Sequence, residues 1–317
     1  RTDLLGKENA EPFARLMFDS LHDRLLTHDH GVTVMPTHGG GSLCSKDIAS
    51  TPWSTVGFEH RHQPLLAIGE VGEFVQALLR NQPTFPRYFA RMRPTNQAGP
   101  TALGVIPAPN PLPAPEVRRM VATDALIVDV RSHEEHANGY IPGSLWMPAG
   151  TSFGTWLGWV APHDRPLLLL MSAEAAWDDL IRQALRIGYS NVVAHVEGGL
   201  AAWRAAGGPV ERGSSITTDE LRAAMGSEPE MLVVDVRQAS EFAEGHVPGA
   251  VNLNAGDLPD RLSELPSDRP IATVCRSGYR SAVAAGLLRQ AGFHDVRAVR
   301  GGLPAWTAAG YPVERGS

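Results

Sequence analysis

Cys275 stands in the run Val274-Cys-Arg-Ser-Gly-Tyr-Arg-Ser281, directly after the apolar stretch 271–274 and shortly before a helical stretch at 280–291 that Gly292 stops. Strand, tight loop and helix N-terminus form the arrangement in which successive backbone N–H groups converge on one point. A sulfur there is held as an anion by those donors and by the helix dipole. Arg276 and Arg280 add positive charge, and Gly278 permits the sharp turn. Such surroundings favour a thiolate and make it a nucleophile. A cysteine after a strand is more often buried and inert. Two arginines, a glycine and a helix start in the residues that follow reverse that expectation. Cys275, Arg280 and Arg276 are the expected catalytic set, with Ser277, Gly278, Tyr279 and Ser281 completing a substrate-binding loop.

Spacing narrows the chemistry. Four residues separate Cys275 from Arg280. Cysteine phosphatases also end a Cys loop in Arg, but theirs is one residue longer, which lets it enclose a tetrahedral phosphate. The shorter loop suits a single sulfur atom or a thiosulfonate, so sulfur transfer is favoured over phosphate hydrolysis. Asp235 and Arg237, at the end of an upstream strand with Glu241 nearby, read as a structural ion pair that fixes the next loop. Trp306 reads as core.

The elements that must position this loop occur twice. Leu126-Ile-Val-Asp-Val-Arg131 returns as Leu232-Val-Val-Asp-Val-Arg237, and Gly139-Tyr-Ile-Pro-Gly143 as Gly245-His-Val-Pro-Gly249. Val196-Glu-Gly-Gly-Leu-Ala-Ala-Trp203 returns as Val299-Arg-Gly-Gly-Leu-Pro-Ala-Trp306, and both copies close on Pro-Val-Glu-Arg-Gly-Ser. These are two copies of one domain. Apolar runs at 126–130, 167–170 and 192–196, then 231–236, 270–274 and 296–299, predict buried parallel strands. Helical stretches at 174–187 and 280–291 alternate with them, so the fold class is α/β, with sites at the carboxyl ends of strands. In the first copy Met171-Ser-Ala-Glu-Ala-Ala-Trp177 falls where the cysteine loop lies in the second. A thioether forms no persulfide and Glu174 repels an anion, so this copy is expected to keep the scaffold without the chemistry.

Upstream, residues 8–26 show helical periodicity, 32–35 predict a strand, 38–42 a Gly-rich loop, and 70–80 a second helix. His38 sits at that strand's end. His28-Asp-His30, His60 and His62 read as surface or loop positions. Residues 100–115 carry six prolines and predict a semi-rigid extended tether. The expected boundaries are 1–98, a Pro-rich linker 99–115, an inactive copy 116–213 and an active copy 214–317.

The 317 residues are 43% hydrophobic and 20% charged with a net charge of −6, which gives no reason to expect nucleic-acid or membrane partners. The longest apolar run is far too short to cross a bilayer. Two cysteines make no disulfide framework and point to a reducing compartment, so the expected location is the cytoplasm.

Asp235-Val-Arg237, Gly245-His-Val-Pro-Gly249, the Cys275–Ser281 loop and Gly301-Gly-Leu-Pro-Ala-Trp306 together resemble a rhodanese (sulfurtransferase) domain over 216–312. The resemblance implies that Cys275 accepts a sulfane sulfur from thiosulfate or a glutathione-type persulfide and passes it to cyanide, sulfite or a thiol, with no cofactor. Arg1-Thr-Asp-Leu-Leu-Gly6, Thr37-His-Gly-Gly-Gly-Ser-Leu-Cys44, Ser54-Thr-Val-Gly-Phe-Glu59 and Pro86-Arg-Tyr-Phe-Ala-Arg-Met-Arg-Pro-Thr-Asn-Gln97 resemble the carboxyl half of a metallo-β-lactamase-like domain. The branch they resemble more narrowly holds the persulfide dioxygenases and glyoxalase II. That resemblance implies that His38 matches a metal-centre histidine, that Cys44 lies near the same pocket, and that the complete domain holds Fe or Zn. The family's His-x-His-x-Asp-His motif is absent, so residues 1–98 are expected to belong with a segment upstream of Arg1. Alternatives are a non-catalytic sulfur-sensing or scaffold protein, or a glyoxalase II-like thioester hydrolase as parent. A homo-oligomer remains open.

Overall fold

The apolar runs become strands because both of their faces are covered. The computed structural model of the protein describes residues 2–38, 51–80, 82, 84–99, 102–172 and 177–316. The chain divides into two compact units, Arg1–Phe85 and Pro86–Ser317.

In the first unit, α1 (Ala10–His22) packs against a later helix, α3 (Val71–Leu79). Ala14 and, from α3, Phe74, Val75 and Leu78 form the buried cluster between them. A two-residue antiparallel pair, β1 (Thr33–Val34) with β2 (Ser54–Thr55), leads into α2 (Val56–His62). The predicted helix over 8–26 ends earlier, at His22, and continues only as a short 3₁₀ turn at Leu25–Thr27. His60 and His62, expected in a loop, lie in the last turn of α2.

The second unit opens with α4 (Phe89–Ala98) and holds two five-stranded, wholly parallel sheets. The first repeat runs β3 (Asn110–Leu112), α5 (Ala114–Thr123), β4 (Leu126–Asp129), α6 (His133–Asn138), β5 (Leu145–Trp146), α7 (Phe153–Val160), β6 (Leu167–Leu170), α8 (Trp177–Arg186), β7 (Val192–Val196) and α9 (Gly199–Ala205). The second runs β8 (Ser215–Ile216), α10 (Thr218–Ser227), β9 (Leu232–Asp235), α11 (Ala239–Glu244), β10 (Val251–Asn252), α12 (Leu258–Arg261), β11 (Ile271–Val274), α13 (Tyr279–Gln290), β12 (Val296–Val299) and α14 (Gly302–Ala308). Strand order is β3-β7-β6-β4-β5 in one sheet and β8-β12-β11-β9-β10 in the other, the same order twice. All six predicted strands are present; the short edge strands β3, β5, β8 and β10 carry too few apolar residues to register by pattern. Asn110–Leu112 lies inside the stretch expected as a tether and pairs with β7 instead. Pro111 is tolerated there because an edge strand can do without one ladder N–H.

Each sheet has a cluster on its outer face, around Ile127, Leu168 and Trp203 in one repeat and Val233, Val274 and Trp306 in the other. The inner faces share a single core that contains both Val128 and Leu169 and Val234, Ile271 and Leu288. Helix α13 lies in that shared core, with every residue from Ser281 to Leu288 buried, against β11 and β12 of its own sheet and β5 of the other. A helix buried on all sides is rich in small and apolar residues rather than amphipathic, as Ser281-Ala-Val-Ala-Ala-Gly-Leu-Leu288 is. Among the described residues no helix is long and apolar enough to cross a membrane.

Candidate functional site: the Cys275 loop

Strand β11 delivers Cys275 to the carboxyl edge of the sheet, fully buried. The chain turns through Gly278, whose φ of 100° is strained for any residue with a Cβ, and α13 begins at Tyr279, one residue before the expected stretch at 280–291. Gly278 N–H donates to Cys275 Sγ at 3.1 Å, so the helix start is aimed at the sulfur. The loop's foot is stapled: Ser281 Oγ donates to the Thr273 carbonyl at 2.5 Å and Thr273 Oγ1 to the Ser281 carbonyl at 2.9 Å.

Its crown is closed by the Gly301-Gly302 turn. Leu303 N–H donates to the Cys275 carbonyl at 2.9 Å. At Gly302, φ +58°, a Cβ would strike the backbone of Cys275 and Arg276. The first repeat keeps this device, since a Cβ on Gly199 would meet the Met171 carbonyl at 3.0 Å.

Arg280 and Arg276 part company. The Arg280 guanidinium forks onto Glu241 of α11 at 2.6 and 2.8 Å. Burial works against the charge of both groups, yet this pairing leaves the Glu241 carboxyl below its usual range and Arg280 more firmly protonated than usual. Arg276 is exposed. Asp235 and Arg237 form the expected structural pair, buried, at 2.6 to 3.0 Å, and Arg237 also reaches the Gly245 carbonyl at 2.6 Å. Trp306 is fully buried.

Tyr279 reaches with its ring into the other repeat. Its ring centroid lies 5.6 Å from that of Trp146 and 5.7 Å from that of Trp156. Its hydroxyl is buried with no hydrogen-bond partner among the described residues, and burial pushes its pKa well up. Beside it opens a cleft of about 390 Å³, lined by Ser277, Gly278, Tyr279 and Arg300 from the second repeat and by His133, Trp146 and Pro148 from the first. A second recess, of about 570 Å³, adjoins Arg276, Arg237, Glu241 and Glu244.

In the first repeat Met171 and Ser172 follow β6; Glu174 and its neighbours 173–176 lie outside the described residues. Glu135, the counterpart of Glu241, accepts from Ser172 Oγ at 2.8 Å and caps α6 through Ser132. The buried Asp129–Arg131 pair matches Asp235–Arg237, with His136 Nδ1 added 3.0 Å from Asp129.

His38 is exposed, and Cys44 lies outside the described residues. Among the described residues no three His, Cys, Asp or Glu side chains converge as a metal centre requires.

Glu241, Gly302 and the first-repeat wall of the cleft were not singled out from sequence as parts of the site. A signal existed for the first: Glu135 and Glu241 hold the same position after the repeated Asp-Val-Arg. For the wall there was none, because no motif reports contact between repeats.

The family model described as "Rhodanese-like domain" matches residues 113–206 and 217–309. A sulfurtransferase of Allochromatium vinosum is 37% identical over 100 residues, covering 32% of this chain and 94% of that protein. The thiosulfate sulfurtransferase GlpE of Shewanella oneidensis is 40% identical over 77 residues, 24% of this chain and 76% of its own length. Among solved structures, a metallo-β-lactamase from Staphylococcus aureus is similar over 60% of this chain and 51% of its own, at 24% identity and a TM-score of 0.49.

Proposed function

We propose, from the premise that this chain belongs to the rhodanese-like domain family, that it is a sulfurtransferase whose second repeat carries a sulfane sulfur on Cys275. The observation that carries this reading is the Gly278 N–H aimed at a sulfur between a strand end and a helix start. The Cys275 thiolate attacks the outer sulfur of thiosulfate or of a small persulfide. One S–S bond forms and one breaks; sulfite or a thiolate leaves with the electron pair, and the enzyme holds a persulfide. A nucleophilic acceptor such as a thiol, sulfite or cyanide then attacks the outer sulfur and releases the Cys275 thiolate, so no outside oxidant or reductant is needed. The backbone N–H groups and the α13 N-terminus hold the anionic sulfur in both forms. Arg276, exposed and without an ion-pair partner among the described residues, offers its charge at the loop, and Arg280 acts through Glu241 to hold the loop's shape.

The first repeat serves as scaffold, since Met171 cannot carry sulfur. Residues 1–98 we assign to a parent resembling the persulfide dioxygenases, on the strength of the motifs around His38 and 86–97. Such a parent turns a persulfide into sulfite, which is an acceptor for the rhodanese. Steady-state transfer from thiosulfate to cyanide tests the transferase. A persulfide intermediate requires parallel double-reciprocal lines and loss of thiocyanate formation in Cys275→Ser. Intersecting lines with an active Cys275→Ser would leave only a scaffold or sensor.

A further inference from the structure

The cleft beside Tyr279 is larger and less polar than a site for thiosulfate needs. Its volume of about 390 Å³ is that of a small organic ligand's pocket, not of an inorganic anion with a handful of heavy atoms. One wall belongs to the repeat that has lost its own nucleophile. Trp146 is fixed there by its Nε1–H, which donates to the Arg131 carbonyl at 3.0 Å, and His133 stands edge-on to it at 5.5 Å.

On the opposite wall Arg300 is the single cation among the described residues. Arg300 is exposed, has no ion-pair partner among the described residues, and lies close enough to His133 for its charge to be felt there. Burial first, then the charges of His136 and Arg300, lower the His133 pKa, so the imidazole is neutral at pH 7 and leaves Arg300 as the cleft's free charge. Arg300 is also tied to the sulfur loop, because Gly278 packs on its backbone: a Cβ there would lie 3.5 Å from Arg300 Cα.

We propose that this cleft is the subsite for the carbon part of an organic persulfide, its tail lying against Trp146, His133 and Pro148 and its carboxylate meeting Arg300. The degenerate first repeat thereby selects the substrate that the second repeat attacks. This rests on Cys275 being the sulfur carrier. In the loading step the Cys275 thiolate takes the outer sulfur of R–S–SH, and R–S⁻ leaves with the electron pair into the cleft that binds R.

The test compares glutathione persulfide with the persulfide of glutathione diethyl ester, whose carboxylates are capped, as donors to the full chain. Sulfur loading is read by intact mass at sub-saturating donor. The wild type is expected to load from the free acid about tenfold faster than from the ester, the worth of one charge-assisted hydrogen bond. Arg300→Gln loses that preference through KM and Arg300→Lys partly restores it, while His133→Ala raises KM for both donors. An equal preference in wild type and Arg300→Gln, or none in the wild type, overturns the proposal. Loading from thiosulfate alone overturns it too and leaves the sulfur-carrier reading standing. No loading from any donor refutes both.

Discussion

Arg280 Nη1 and Nη2 donate to the two oxygens of Glu241 at 2.6 and 2.8 Å, so the arginine that ends the cysteine loop is committed to a carboxylate. The pair ties the first turn of α13 to α11. At the start of that helix Gly278 N–H donates to Cys275 Sγ at 3.1 Å, and the Arg280 charge also acts on Cys275.

Removing one partner of this pair leaves the other in a half-buried place. The two side chains are 21% and 29% exposed, and Glu241→Gln is expected to cost about 1.5–3 kcal/mol in urea unfolding at pH 7. The Glu241 pKa is depressed in the folded state, so the pair's contribution is complete above the unfolded carboxyl value, about 4.3, and is lost as pH falls through the folded value. The stability gap between wild type and Glu241→Gln should therefore close on acidification below about pH 4. A gap that stays constant with pH contradicts the pairing.

Gly302 makes a sharper test of how the loop is closed. Gly302→Ala drives a methyl into the Cys275–Arg276 backbone in addition to straining a left-handed φ. Gly310→Ala strains a similar φ, +75°, with nothing within 4 Å. The first is expected to cost at least about 2 kcal/mol and to impair sulfur uptake; the second costs only about 1–2 kcal/mol and spares uptake. Equal effects would mean that the Gly301-Gly302 turn does not shape the sulfur site.

The shared core predicts that the two repeats unfold together. Gly256 of the second repeat lies against the Trp159 indole of the first, where a Cβ cannot fit. Gly256→Ala should lower stability by about 1–3 kcal/mol. Tryptophan fluorescence and far-ultraviolet circular dichroism should still report one coincident transition for residues 86–317. Two separate transitions would show that the repeats are independent.

Legibility followed periodicity. Strands β4, β6, β7, β9, β11 and β12 announced themselves as unbroken apolar runs because both of their faces are covered, and the repeat located the lost nucleophile at Met171. The two-residue strands β2, β5, β8 and β10 and Asn110–Leu112 stayed silent because their pairing is set by neighbours. Cys275 and its turn were readable because strand end, glycine and helix start are local. The commitment of Arg280 to Glu241 was hidden in a separation of 39 residues, and the cleft wall at Trp146 in a contact between repeats.

Intact-mass and peptide mapping after brief exposure to thiosulfate tests the central claim most directly. A gain of one sulfur atom on the peptide carrying Cys275, removed by cyanide and absent in Cys275→Ser, is the expected result. An unchanged mass, or a sulfur found instead on the peptide carrying Cys44, would contradict it.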